Sequence, residues 1–103
     1  SVTCRVRRKL VIVSFKSAVL ERLWVEGDIT LLPSTYVYDV IEILTLLDSS
    51  ERITDVELLG GFKIDEYKPS NWAVTVNSVE PIGSVVCLYH SGNVHDVDLN
   101  TYN

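Results

Sequence analysis

The chain lacks methionine, even at its first position, and it lacks any apolar run long enough to cross a membrane. A membrane-spanning helix needs about 20 predominantly apolar residues, so the sequence predicts no membrane span. No basic cap followed by a long apolar core opens the chain, which predicts that there is no signal peptide and that the protein is cytoplasmic. Because no initiator methionine is present, we expect the chain to be a piece of a longer protein.

Cysteine is also scarce, since Cys4 and Cys87 are the only two and lie far apart. Disulfides are rare in proteins without secretory signals, so two reduced thiols are the expected state and a disulfide is the alternative. A structural zinc site needs about four ligands. His90 and His95 lie near Cys87, but no Cys-x-x-Cys pair accompanies them. The sequence therefore predicts neither a metal nor a cofactor.

A set of residues typical of an active site is missing as well. Asp65 and Glu66 are adjacent, and adjacent residues of a strand point to opposite faces, which does not suit a carboxylate pair. Gly60 and Gly61 lack the further glycines and the following helix of a phosphate loop. Cys87 lies in a predicted strand without a sequence indication of an oxyanion hole. We therefore expect a protein that is not an enzyme.

Positive charge is sparse beyond the first 22 residues. The net charge is −5; residues 1–22 hold six Lys or Arg against one acid, and residues 23–103 hold three against thirteen acids. Nucleic-acid binding requires a dominant basic face. The acidic majority therefore argues against a nucleic-acid partner and in favour of protein partners.

One helix is well marked, and it contains neither Lys nor Arg. Pro33 favours extended geometry in the residue before it, and Ser34 or Thr35 can cap a helix that follows. Apolar residues then recur with the helical period. They are Val37, Val40, Ile41, Leu44 and Leu47. The pattern predicts a helix over about residues 34–47.

The basic N-terminus and this base-free helix suggest an electrostatic contact. Arg5, Arg7 and Lys9 alternate, so an extended strand would place the three on one face. Asp39 and Glu42 are three apart and would be neighbours on the helix, on the side away from its apolar stripe. One hypothesis is that the basic row meets an acidic surface, of which this pair is one candidate. The alternative is a solvated strand edge that is protected by its bases.

Strands are predicted on both sides of the helix. The predicted strands cover residues 10–15, 18–25 with an extension at 29–32, 53–59, 62–67 and 85–89, and residues 72–82 are predicted to be a covering loop with one short strand. One helix against one face of a mixed sheet is an α+β pattern in two layers. We expect one domain over residues 1–91, followed by a C-terminal tail, linker or weak final strand over residues 92–103.

Three segments resemble parts of the ubiquitin-like β-grasp domain. PSTYVYDVI (33–41) resembles the entry into its helix, LLGGFKI (58–64) resembles the glycine turn after the helix, and IGSVVCL (82–88) resembles the last strand. The resemblance covers about residues 10–91. It implies a mixed four- to five-stranded sheet packed on one helix, with the first and last strands parallel and adjacent at the centre of the sheet.

The resemblance also implies a function. Ubiquitin-like domains of the non-conjugating type bind proteins, and some open flagellar or centriolar scaffold proteins. It therefore implies an interaction domain at one end of a larger scaffold, adaptor or cytoskeletal protein, and association with the cytoskeleton. The usual docking site, on the sheet face away from the helix, would fall near Leu59, Phe62 and Tyr89, with Cys87 beside them. No Gly-Gly pair ends the chain, so conjugation is not implied.

Two other classes of function are compatible with this fold class. The first is head-to-tail self-assembly, in which the basic N-terminal strand meets an acidic face of another copy. That face would come from Asp55, Glu57, Asp65 and Glu66. The second is microtubule binding of the doublecortin-like type, which the net charge of −5 disfavours because microtubules are acidic.

Overall fold

A computed structural model describes residues 10–76 and 83–101, which form one five-stranded mixed sheet and several helices. The elements in chain order are β1 (Val11–Ile12), α1 (Ala18–Glu26), a 3-10 helix (Ile29–Leu31), α2 (Val37–Leu47), α3 (Asp55–Gly60), β2 (Ile64–Lys68), β3 (Asn71–Thr75), β4 (Gly83–His90) and β5 (Asn93–Thr101). The basic row of Arg5, Arg7 and Lys9 lies outside the described residues.

The sheet has the strand order β1-β5-β4-β3-β2. Strands β2 to β5 pair antiparallel with their sequence neighbours, and β1 pairs parallel with β5. The predicted α+β class and the mixed sheet are confirmed. The expected parallel pairing of the first strand with the strand at 85–89 is wrong, because that strand is part of β4 and lies between β3 and β5; β1 instead pairs parallel with β5, at one edge of the sheet rather than at its centre.

The predicted strand over residues 18–25 is wrong, because this stretch forms helix α1. Leu20 and Leu23 are buried and Trp24 packs against the core, which is the spacing of one helix face. Ser17 starts the helix by accepting a hydrogen bond at its Oγ from the Leu20 N–H (3.2 Å). Gly27 ends it with a φ of 72°, a left-handed conformation that glycine adopts without strain. The predicted strand extension at 29–32 is the 3-10 helix.

The predicted strand over residues 53–59 is also wrong. Residues 55–60 form the short helix α3, which buries Val56 and ends at Gly61 with a φ of 74°. The single expected helix is therefore accompanied by two others. All three α-helices contribute buried side chains to the core cluster that contains the inward residues of the sheet.

The helix predicted over residues 34–47 is confirmed as α2 and begins at Val37. Its first turn is held by the Pro33 carbonyl, which accepts hydrogen bonds from the Tyr36 and Val37 N–H groups. Neither Ser34 nor Thr35 is its N-cap. The buried side chains of α2 are Val37, Val40, Ile43, Leu44 and Leu47.

Residues 93–101, expected to belong to a tail, a linker or a weak final strand, form the long strand β5 between β4 and β1. Val94 and Val97 are buried in the core. They are three residues apart because Asp96 adopts a φ of 53° and the register with β4 shifts between Val86 and Leu88. The C-terminal strand is thus part of the same hydrophobic core as the helices.

The free edge of β1 is covered by the segment that follows α2. The Ile12 N–H donates to Asp48 Oδ1 (3.0 Å), and the Leu10 N–H donates to the Ser50 carbonyl (2.6 Å). Sheet edges expose unpaired N–H groups that invite association with other strands. These two hydrogen bonds pair the edge N–H groups of Leu10 and Ile12 within the chain.

We expect Asp48→Ala to lower the free energy of unfolding by about 1–3 kcal/mol, because it leaves the Ile12 N–H without its charged acceptor. Asp48→Asn keeps an acceptor oxygen and should lose less. Urea denaturation of the three proteins measures the difference. Equal stability of the wild type and Asp48→Ala would show that this bond does not hold the edge.

Candidate docking surface

The residues predicted to form a docking site do not share one surface. Phe62 and Cys87 are 2% and 3% exposed and belong to the core. Tyr89 is half-buried and packs against that core. Leu59 is 69% exposed but lies on α3. The expected register fails because α3 replaces a strand, and because Cys87 and Tyr89 alternate toward the helices rather than away from them.

Cys87 is held as a neutral thiol. Its burial raises the pKa of the thiol to about 12. The thiolate is the nucleophile and the metal ligand of a cysteine, and at neutral pH this environment suppresses it. Cys87 therefore acts as an apolar core residue in this fold.

The proposed acidic partners of the basic row lie on α2. Glu42 is exposed, whereas Asp39 is half-buried and already takes part in a polar interaction. Among the acids of the self-assembly alternative, Asp55 and Glu57 lie on α3, and Asp65 and Glu66 are adjacent on β2, where neighbouring residues point to opposite faces. Asp65 and Glu66 therefore do not share a face of the sheet.

The sheet presents a second face, opposite the helices. Along β4, Val85 and Cys87 point into the core, so Val86 and Leu88 point the other way. On β3, Val74 points inward and Ala73 outward. We call this side the outer sheet face; its apolar centre consists of Tyr67, Ala73, Val86 and Leu88.

Strand register orders the residues of the outer sheet face into rows. One row crosses four strands, because Asp65 pairs with Ala73, Ala73 with Val86, and Val86 with Asp98. Each neighbouring strand lies about 4.8 Å from the next, so the Cα atoms of the two aspartates stand about 14 Å apart. The apolar centre is therefore flanked by an acid on either side.

Two shallow depressions lie side by side on this face. One has a volume of about 290 Å³ and the other of about 340 Å³, and they share Tyr67 and Val86. The first is lined by Asp65, Tyr67, Ala73, Val86 and Asn100, and the second by Lys16, Tyr67, Asn71, Val86, Cys87, Leu88, Asp96 and Asp98. Three carboxylates and one ammonium group thus border a continuous, partly apolar concavity.

A larger groove lies beside α1 on another side of the molecule. It has a volume of about 400 Å³ and is lined by residues of α1 together with Leu31. Val25, 70% exposed, is its most accessible apolar residue. Both its acids and its base belong to α1, and Arg22 and Glu26 form an ion pair there (4.0 Å). Two of the three charged residues that line this groove therefore pair with each other.

Sequence reasoning missed the outer sheet face because it assigned the outward positions to other residues. The alternation of V-V-C-L-Y indicates which residues share a face, but it does not indicate which face meets the helices. Tyr67 could have been found from the sequence. It follows Asp65 by two residues in the strand predicted over residues 62–67, which corresponds to β2. The structure adds the position of β5, which brings Asp96 and Asp98 to the same surface.

Within residues 10–76 and 83–101, no helix has both the length and the hydropathy that a bilayer crossing requires. In the same ranges, no group of three or more His, Cys, Asp or Glu residues is arranged to hold a metal ion. The sequence matches none of the known protein-family models and none of the curated proteins compared with it.

Proposed function

We propose that the chain is a non-catalytic protein-interaction domain and that its outer sheet face is the docking surface. The observation that carries this proposal is the one-sided packing of the sheet. The three α-helices share one core with one face, and the other face keeps an apolar centre with Tyr67 47% exposed.

An antiparallel sheet with one solvated face usually alternates apolar inward residues with polar outward ones. Here Val86 and Leu88 occupy outward positions at the middle of the sheet and are only half-buried. Exposed apolar surface that is rimmed by polar residues is typical of protein-binding sites. Such a surface fits a protein side chain or an extended segment better than a small polar metabolite.

The wider assignment to a scaffold, adaptor or cytoskeletal protein is part of this proposal, as is the β-grasp assignment on which it rests. The parallel pairing of β1 with β5 and the position of α2 support a β-grasp relationship. Two features argue against it: helix α1 stands in place of a second strand, and β1 lies at the edge of the sheet.

Self-assembly is a second candidate function, and the distribution of charge favours it. The described residues hold five Lys or Arg against thirteen acids, whereas residues 1–9 hold four bases and no acid. Copies with such oppositely charged parts attract one another.

Two exposed tyrosines offer a matched test of the docking surface. Tyr67 lies on the outer sheet face, and Tyr38, 63% exposed, lies on α2. The photo-crosslinking amino acid benzoylphenylalanine is incorporated in place of either tyrosine, in the cell that produces the protein. We expect position 67 to give a discrete crosslinked product and position 38 to give none; where the product contains a different protein, excess unlabelled chain should displace it.

Leu59 provides the third crosslinking position, since the original expectation placed the docking site there. A displaceable product at position 59 or 38, with none at position 67, would contradict docking on the outer sheet face. Circular dichroism of each labelled protein confirms that the fold is kept before the products are compared.

A further inference from the structure

The partner that the outer sheet face fits can be specified, on the premise that this face is a docking surface. We propose that it binds the basic segment over residues 1–9 of a second copy of the chain, so that copies join head to tail.

Charge complementarity is the first argument. The outer sheet face carries Asp65, Asp96 and Asp98, and among the described residues that line its depressions Lys16 is the one base. Residues 1–9 carry four bases and no acid. No stretch of nine residues that begins after residue 9 combines so many bases with no acid.

Spacing is the second argument. Asp65 and Asp98 stand about 14 Å apart across the sheet, as the strand register requires. Residues that are four apart in an extended chain are separated by about 13 Å and point to the same side. An extended segment lying across the strands would thus present Arg5 to one carboxylate and Lys9 to the other.

The third argument is that the centre of the outer sheet face can bind Arg7, which lies between Arg5 and Lys9 in the basic segment. Arg7 shares the side of Arg5 and Lys9 in an extended chain and would lie between the two carboxylates. Tyr67 lines both depressions there, and an arginine over a tyrosine ring gains a cation–π attraction.

The direction of β1 selects a second copy rather than the same chain. β1 runs parallel to β5, and Val11 pairs with Asn93, at the start of β5. Asp98 lies five residues further along β5, about 17 Å in the direction in which β1 runs. The chain therefore enters β1 from the end of the sheet that lies away from Asp98. The basic segment of a neighbouring copy can reach the outer sheet face without such a reversal of the chain direction.

A contact between two different surfaces is heterologous, and it produces open chains of copies unless the geometry closes a ring. We expect the full chain to show an average mass that rises with protein concentration at low salt. The mass should fall toward that of the monomer in 1 M salt, where the screening length is about 3 Å.

Two charge-neutralised proteins test the pairing directly. One carries Arg5→Gln and Arg7→Gln and keeps the acidic face; the other carries Asp65→Asn and Asp98→Asn and keeps the basic segment. Each alone should be monomeric by sedimentation velocity. An equimolar mixture should form a one-to-one dimer and nothing larger, because each protein retains one complementary surface.

Glu42→Arg is the matched control, since it reverses an exposed acid on α2. It should leave assembly unchanged. The proposal is overturned if the mixture stays monomeric, if the wild type is monomeric at every concentration and salt, or if Glu42→Arg alone abolishes assembly. In any of these cases a displaceable crosslink at position 67 to a different protein would still support the proposed docking function.

Discussion

Replacing Leu44 with alanine is expected to lower the free energy of unfolding by about 2–5 kcal/mol. Leu44 is fully buried at the middle of α2, where the helix meets the core. The substitution removes buried methyl groups and leaves a cavity that the surrounding side chains fill only in part. Urea denaturation, followed by far-UV circular dichroism, measures the loss.

Thr45→Ala is the matched control, because Thr45 is exposed one position further along the same helix. It loses the hydrogen bond from Thr45 Oγ to the Ile41 carbonyl (2.8 Å), which lies within a helix that remains intact. We expect its effect to stay within about 0.5 kcal/mol, as for most surface substitutions. A loss below about 1 kcal/mol for Leu44→Ala would show that the assigned register of α2 is wrong.

The second large effect concerns the reactivity of Cys87. Burial raises the pKa of this thiol from 9.0 to about 12, so the thiolate fraction at pH 8 falls by about a thousandfold. In a Cys4→Ser background, we expect Ellman's reagent to label Cys87 at least about a thousandfold more slowly in the native protein than in urea. Stoichiometric labelling of the native protein within minutes would contradict the burial of this residue.

The raised pKa of Cys87 also determines how the free energy of unfolding changes with pH. The folded state keeps the Cys87 proton to a higher pH than the unfolded state does. The thiol therefore makes its full contribution to the free energy of unfolding below pH 9. Its contribution is lost as the pH rises from about 9 toward 12. Cys87→Ala should therefore flatten the alkaline part of the stability profile relative to the wild type.

Helix α2 was predictable because its apolar residues follow a single period over three turns and Pro33 marks its beginning. Helix α1 carried a comparable pattern, since Leu20, Leu23 and Trp24 follow the helical spacing between Ser17 and Gly27. The β-branched and aromatic residues of this stretch favour strands, and that preference outweighed the spacing in the sequence interpretation. Tertiary packing decides between the two, because α1 buries its leucines in the same core as α2.

A period-two pattern does not identify strand β5, because its buried residues do not follow one. The left-handed residue Asp96 inserts an additional position between Val94 and Val97 and restores the inward direction of the second valine. Sequence alone does not show which residue of a polar strand will bulge. The acids that β5 brings to the outer sheet face were therefore missed together with the strand.

The most direct test of the outer sheet face as a docking surface is methyl NMR of the chain, free and in its complex. The complex is formed with a second copy or with the protein that crosslinks at position 67. The account predicts that the methyl signals of Ala73, Val86 and Leu88 shift on binding, while those of Leu58 and Leu59 on α3 stay in place. Shifts confined to Leu58 and Leu59 would contradict it and would place the docking surface on α3.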